Sequence, residues 1–442
     1  MVKLFRIGVV LVACVLSVLP ALAGEDQDAL EEELDELKED DYPDLVGADE
    51  EGAIIDEFTL LMEDAGMVES AARHKQEIGM SPSAITVITR EDIEASGAEN
   101  LGDLLRMVPG MDVLITSEFF TSLSARLYWS VENHHFLLLI DGRDANDELI
   151  GATFLHIQPV GLDDVERIEV IRGPGSSLYG ANAQAGVISI TTRALSKETS
   201  GSARVVAGEP GMIAANARAS TWVSDWGFSI NAGSELFGKY WAPAENGREI
   251  WRLRGVVERR LTEGNLLLLE GGLTSGSGVL ASALGALDGE QLLGTVRLLY
   301  ESQGVRAQLY WVLNQVVGSA GSDLVYSGVR LAKLPPIEVV AHVVDGDFQW
   351  TLPAFYDPLM LITGGRVRAS YLTSDDLLSQ SYADITSSGY HRPGVTHWEG
   401  RAGAFVHGEL APSDWVTITA GVRLDYNTVS GEFLSPRLAA VF

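Results

Sequence analysis

Two stretches of this chain alternate almost residue by residue. Val305, Ala307, Leu309, Trp311 and Leu313 are interleaved with Arg306, Gln308, Tyr310 and Asn314, with Val312 the one apolar exception. Val416, Ile418, Ala420, Val422 and Leu424 are interleaved with Thr417, Thr419, Gly421 and Arg423. A period of two predicts strands with one apolar and one polar face. Similar segments start near Ser202, Met212, Gly227, Ile250, Leu266, Thr295, Val339, Leu361 and Arg401. Turn-like breaks include Glu209-Pro210-Gly211, Ser224-Asp225 and Glu263-Gly264-Asn265. Trp222, Trp226, Trp251, Trp311, Trp350, Trp398 and Trp415 often sit near segment ends, as interfacial aromatics do. Residues 194–442 therefore read as the wall of an antiparallel transmembrane β-barrel, and alternation alone would also allow a soluble β-sandwich.

Residues 81–193 have a different texture, that of an α/β unit. Ala84 to Thr89 reads as a strand, and Thr89-Arg90-Glu91-Asp92 opens a helix with Asp92 in its first turn. Leu101 to Met107 reads as a second short helix, stopped by Pro109-Gly110. Phe136 to Asp141 is an apolar strand running into Gly142 and Arg143. Gly161 to Arg193 reads as a strand, a glycine-rich turn at Gly173-Pro174-Gly175 and a second strand. On the first of these strands Arg167 and Glu169 alternate with Ile168 and Val170. The glycines do not make a phosphate loop, because GPGSSLYG lacks the Lys-Ser/Thr that would reach phosphate and Mg²⁺.

Charge and compartment narrow the picture. The net charge of −31 over 442 residues argues against nucleic-acid binding, which wants a basic face. Residues 1–23 have the form of a secretory signal: Lys3 and Arg6, an apolar core from Ile7 to Leu19, and Ala21-Leu22-Ala23 as a cleavage site. The single cysteine, Cys14, lies inside that segment, so a mature chain would have no disulfide and no thiol chemistry. Residues 24–58 are an acidic leader, with 17 acidic residues against Lys38 alone between Glu25 and Glu57. Such composition reads as a solvated tether. A secreted chain whose wall segments end in aromatics favours the membrane barrel over the sandwich. His134 and His135 are adjacent, face opposite ways on a strand, and cannot share a metal. No metal site, cofactor or catalytic constellation is expected.

In order along the chain, SPSAITVITREDIEASGAENLGDLLRMVPGMDV, FLLLIDGR, ERIEV, the RGP turn and LYGANAQAGVISI resemble the plug domain of TonB-dependent outer-membrane receptors nearly throughout. The last wall segments, GAFVHGELAPSDWVTITAGVRLDYN and SPRLAAVF, resemble the middle of such a receptor's barrel. The resemblance implies an α/β plug followed by about half of a roughly 22-stranded barrel, hence a receptor truncated at its C-terminus. It implies uptake of a ferric siderophore, haem or cobalamin-type ligand, with TonB and outer-membrane lipid as partners and no enzymatic activity. The alternative is a receptor remnant that binds ligand without transporting it.

Residue roles follow from the same resemblance. Residues 59–80 would hold the peptide that pairs with TonB by strand addition, placed at Met67, Val68, Glu69, Ser70 and Ala71. The outer plug loops, Ile115 to Trp129 and Arg143 to Gln158, would help to hold ligand, with Arg126, Tyr128, Trp129 and Arg143 as candidate contacts. The family usually has Gly after the position of Arg126, whereas this chain has Leu127 followed by two aromatics, a bulkier apex. Tyr390 and His391 are candidates in a wall loop. Arg167, Glu169 and Arg172 would seat plug against wall, with Glu258 or Glu270 as acidic partners.

Overall fold

The computed structural model describes residues 67–68, 76–117, 120–125, 135–148, 151, 154–180, 182–208, 211–238, 247–262, 264–282, 285–319, 325–326, 329–330, 337–353, 358–374, 395–413 and 415–442. The signal and acidic-leader expectations lie outside the described residues.

The first unit begins with a two-residue ladder, β1 (Met67–Val68) on β2 (Gln76–Glu77). Then follow β3 (Ala84–Ile88), α1 (Arg90–Ser96), α2 (Leu101–Leu105), β4 (Met111–Ser117), β5 (Phe120–Ala125), β6 (Phe136–Ile140), β7 (Arg143–Asp144), β8 (Val165–Arg172), α3 (Ser176–Tyr179) and β9 (Gly186–Thr192). Thr89 caps α1 through a capping box: its hydroxyl accepts from the Asp92 amide, and the Asp92 carboxylate accepts from the Thr89 amide. Helix α2 stops two residues short of the expected Met107. There the Arg106 N–H is shared by the carbonyls of Gly102 and Leu104, which tightens the last turn ahead of Pro109.

The main sheet has the order β3-β8-β9-β6-β7, with β6 and β9 parallel and the other pairs antiparallel. All five residues of β6 are buried, as a central strand covered on both faces requires. Leu101, Leu104 and Leu105 pack with Ile168, Val170, Ile188 and Ile190 in one apolar core. Gly186 is obligatory at the β8–β9 register, because a Cβ there would run into the Ile171 carbonyl and the Phe136 ring.

The second unit is one antiparallel sheet of twelve strands in sequence order. They are β10 (Ser200–Gly208), β11 (Met212–Val223), β12 (Trp226–Phe237), β13 (Arg248–Thr262), β14 (Asn265–Ser282), β15 (Gly285–Ser302) and β16 (Val305–Ser319). After a small separate ladder of β17 (Val325–Tyr326) and β18 (Val329–Arg330) come β19 (Ile337–Thr351), β20 (Leu359–Ser374), β21 (Val395–Ser413), β22 (Val416–Asn427) and β23 (Gly431–Val441). Some strands far exceed the ~9–11 residues needed to cross a bilayer, since β14 has 18 residues and β21 has 19. Strand β15 begins at Gly285, ten residues before the expected Thr295, because Gly285 to Gln291 shows no alternation.

The two faces of the sheet divide as the alternation requires. Leu309 and Trp311 are exposed while Gln308, Tyr310 and Asn314 point at the first unit and are buried. Val312 has the inward parity, and it packs beside Phe154 and Ile157. The exception in the pattern is an apolar contact of the inner face. Connections at one end of the sheet are short (224–225, 263–264, 303–304 and 414–415, with 352–358 the longest), whereas the other end has the three long ones (238–247, 320–336, 375–394) beside three short ones (209–211, 283–284, 428–430).

Candidate functional site

The seam between the two units is where the buried charge lies. Its first centre is the Asp141-Gly142 turn joining β6 to β7. Both residues have positive φ, 50° and 84°, the two-residue hairpin geometry that Asp-Gly favours. The turn presents the Asp141 carboxylate to Thr192, whose N–H and hydroxyl each donate at 2.8 Å. From the wall, Arg254 donates to the same carboxylate at 3.2 Å, and Arg297 donates to the Asp141 carbonyl at 2.8 Å. Glu270 sits between these two arginines, 2.9 Å from Arg254 and 2.7 Å from Arg297. Gln308 donates to the Gly142 carbonyl at 2.9 Å.

Asp144, three residues on, is the second centre. It accepts from Arg368 at 2.9 Å, from Arg366 at 3.1 Å and from the Asn146 amide at 3.0 Å. Arg366 also reaches the Tyr310 hydroxyl at 2.8 Å and Asp345 at 2.8 Å. Burial alone would raise the Asp144 carboxyl, but Arg368 and Arg366 outweigh it and hold the pKa below the ordinary carboxylate value. Glu148 continues the line, 2.6 Å from Arg401. Asp147 accepts from Asn314 of the wall.

The third centre is His156. Its Nδ1 lies 3.2 Å from Arg248 of the wall and its Nε2 lies 2.9 Å from the Thr121 hydroxyl on β5. A guanidinium can only donate, so Nδ1 accepts and Nε2 carries the proton toward Thr121. Burial, reinforced by Arg248 and partly opposed by Glu235, pulls its pKa down to about 3, so the ring is neutral. Arg252 closes the group, bonding the His156 carbonyl at 2.7 Å and Glu235 at 2.5 Å. Farther round the seam Asn231 donates to Asp164 at 2.8 Å; burial raises that carboxyl, partly offset by Arg254 and Arg218.

Near β20 and β21 the seam is apolar. Val68 of β1, 1% exposed, packs in one cluster with Leu137, Ile171, Leu178 and Val187 of the first unit and Ile362 and Phe405 of the wall. Of the expected coupling peptide, Met67 and Val68 thus form a strand paired with Gln76 and Glu77. Glu69, Ser70 and Ala71 lie outside the described residues. So do the expected ligand contacts Arg126, Tyr128, Trp129, Tyr390 and His391.

Arg143 departs from expectation. It is buried, 4% exposed, donates to Gln158 at 3.2 Å, and its pKa is lowered by burial. A hairpin strand covered by the wall takes this side chain away from an outer loop. Arg167 is paired with Glu169 on its own strand, and Arg172 donates to the Pro109 carbonyl and, at 3.2 Å, to the Thr86 hydroxyl. Among the described residues, ion pairs crossing the seam run from carboxylates of the first unit to arginines of the wall, the reverse of the expected polarity. Glu270 has the expected place, but it holds Arg254 and Arg297 rather than a plug arginine, while Glu258 stands 3.7 Å from Arg260. The acids that reading missed, Asp141, Asp144, Glu148 and Asp164, sit in turns and short loops, where Asp is ordinary turn chemistry. The usable signal was on the wall, in Arg254, Arg297, Arg366 and Arg368 at inward-parity positions.

Comparison with known proteins agrees with this architecture. Residues 77–187 match the TonB-dependent Receptor Plug Domain. The chain is 38% identical over 126 residues to the vitamin B12 transporter BtuB of Vibrio vulnificus, covering 28% of this chain and 20% of that protein. It is 36% identical over 149 residues to the iron-regulated outer membrane virulence protein of Vibrio cholerae, covering 32% and 22%. These matches span about a fifth of the relatives' length. The fold resembles the siderophore receptor PirA from Pseudomonas aeruginosa, with TM-score 0.58 at 20% identity, covering 83% of this chain and 59% of that one. It also resembles the ferripyoverdine receptor of the Pseudomonas aeruginosa outer membrane, with TM-score 0.66 at 16% identity, covering 85% and 56%. Residues 77–187 thus carry the plug domain of TonB-dependent receptors, and the twelve strands that follow share the fold of part of the barrel wall in solved outer-membrane receptors.

Proposed function

We propose that this chain serves energised uptake of a scarce, bulky ligand of the siderophore or cobalamin class, with β1 as the strand that TonB engages. The observation that carries this reading is the position of Val68. It lies at the N-terminal edge of the plug, on a ladder of only two residue pairs, and is packed into the apolar cluster that joins plug to wall. A pull on β1 would break few hydrogen bonds and disturb plug–wall packing at once. Strand addition by a partner needs main-chain N–H groups, which the short ladder can release. The ligand class rests on the relatives, a vitamin B12 transporter and siderophore receptors among them.

The test is uptake in a strain lacking the receptor gene, grown on single iron or cobalamin sources. Val68→Pro should abolish energised uptake and leave ligand binding at the cell surface near the wild-type level, because proline removes one N–H and fixes φ. Glu32→Gln, in the leader, should do little. Wild-type import by Val68→Pro would sink the assignment of β1.

A further inference from the structure

The outer face of the wall is laid out in rows by the hydrogen-bond register. Trp226, Arg259, Leu267, Tyr300, Ala307 and Phe348 are successive cross-strand partners in one such row. The next row toward the long-loop end, Phe228, Val257, Leu269, Leu298 and Leu309, has no charge. Arg259 is therefore a lone guanidinium in an aromatic and aliphatic surface. It is exposed, it lies over the Trp226 ring with 4.9 Å to the centroid, and no carboxylate stands within ion-pair distance among the described residues. Its neighbour Arg260 has the opposite parity: it faces inward, 3.7 Å from Glu258 and 4.3 Å from the Trp222 ring centroid.

Strand β13 supplies a ruler. Its outward positions are Glu249, Trp251, Leu253, Gly255, Val257 and Arg259, so the two charges bracket an uncharged stretch. Ten residues at ~3.4 Å each span ~34 Å along the strand, and a tilt of ~40° reduces that to ~26 Å. The apolar band of an outer-membrane barrel is ~25 Å tall. Arg259 thus stands at one boundary of the band, at the end with the short turns, which in such barrels is the periplasmic side. A cation at mid-membrane on this face would be costly, whereas at the boundary it costs little and meets the phosphate layer.

We propose that Arg259, placed over the Trp226 ring, is a binding site for the phosphate of an anionic phospholipid in the periplasmic leaflet. The guanidinium offers paired N–H donors that match two phosphate oxygens, and the ring beneath it orients the fork while leaving its outer edge free. Leu267 and Tyr300, next in the row, lie where the first acyl carbons of that lipid would pack. The site rests on the membrane reading of the wall and is independent of which ligand is carried.

The experiment is native mass spectrometry of the full chain released from dodecyl-maltoside micelles, with phosphatidylglycerol added at a series of concentrations. Wild type should retain one phosphatidylglycerol more than Arg259→Gln, with half-occupancy reached at about fivefold lower lipid, the effect of one arginine near a charged surface. Arg259→Lys should fall between them, and Arg260→Gln should match wild type. All variants are compared at equal β-sheet circular dichroism, so a folding defect is not read as lost binding. Equal retention by wild type and Arg259→Gln would overturn the proposal, and equal loss by Arg260→Gln would reduce it to bulk surface charge. An adduct with inorganic phosphate that competes phosphatidylglycerol away would make it an ion site and overturn the lipid assignment.

Discussion

Arg368 of the wall donates to Asp144 of the plug at 2.9 Å, with only 6% and 3% of the two side chains exposed. A buried pair of this kind costs desolvation on both sides, so its effect appears when one partner is removed. Asp144→Asn leaves Arg368 and Arg366 facing the seam with one carboxylate fewer, and should destabilise plug docking by ~3 kcal/mol. Arg368→Gln should cost a similar amount. The double variant should cost less than the sum of the two, and a double-mutant cycle in urea reads the difference. Strict additivity would mean that the pair does not act as one unit.

Plug docking should weaken as the pH falls below ~6.5, and His156 should account for the slope. The docked ring has its pKa pulled down to about 3, so the docked state stays neutral where an undocked histidine takes up a proton. The stabilisation is whole above ~6.5 and is lost progressively toward 3, at up to ~1.4 kcal/mol per pH unit. Asp164, whose carboxyl is raised by burial, works in the opposite sense. The histidine part is therefore read as a difference between wild type and His156→Asn in proteolytic release of the plug. A wild-type slope matched by His156→Asn would rule the ring out.

Much of this architecture was legible from two local signals. Alternation at Leu309, Trp311, Ile418 and Val422 reports the lipid face directly, because a strand has only two faces to choose between. The capping box at Thr89 and Asp92 and the Asp-Gly turn at 141 and 142 are equally local. The seam was not legible, for a physical reason. Asp141, Asp144 and His156 acquire their roles from wall arginines between 92 and 224 residues away, and nothing in a short window distinguishes such an acid from an ordinary turn residue. Arg143 misled for the same reason, since a strand of two residues looks like a loop.

Residues 81–193 should fold alone. Nearly every side chain of the main plug core, from Ile88 to Ile190, comes from within that range, and the sheet needs no wall strand. The cost of isolation falls on Asp141, Asp144 and His156, which would meet water in place of their arginine partners. The expected result is a dispersed amide NMR spectrum with stability below that of the docked plug. A collapsed spectrum with little dispersion would show that the wall is required.

The stowed state of β1 should depend on the wall side of its cluster. Phe405 is 2% exposed and packs with Val68 and Ile362, so Phe405→Ala removes an aromatic ring from the seat of Val68 and leaves a cavity. A seam fixed by ion pairs on its other side relaxes only in part, so the loss should appear as local opening of the two-pair ladder. The chain's single cysteine, Cys14, can be changed to serine, leaving Val68→Cys as a unique thiol. In the wild-type background that thiol should react slowly with a maleimide, and Phe405→Ala should speed labelling by about tenfold, equivalent to ~1.4 kcal/mol of opening. Ile418→Ala, on the outer face and outside the cluster, is the control and should leave the rate unchanged. If Phe405→Ala labels no faster than Ile418→Ala, the wall does not hold β1 in place, and its pairing with Gln76 and Glu77 becomes the restraint to test.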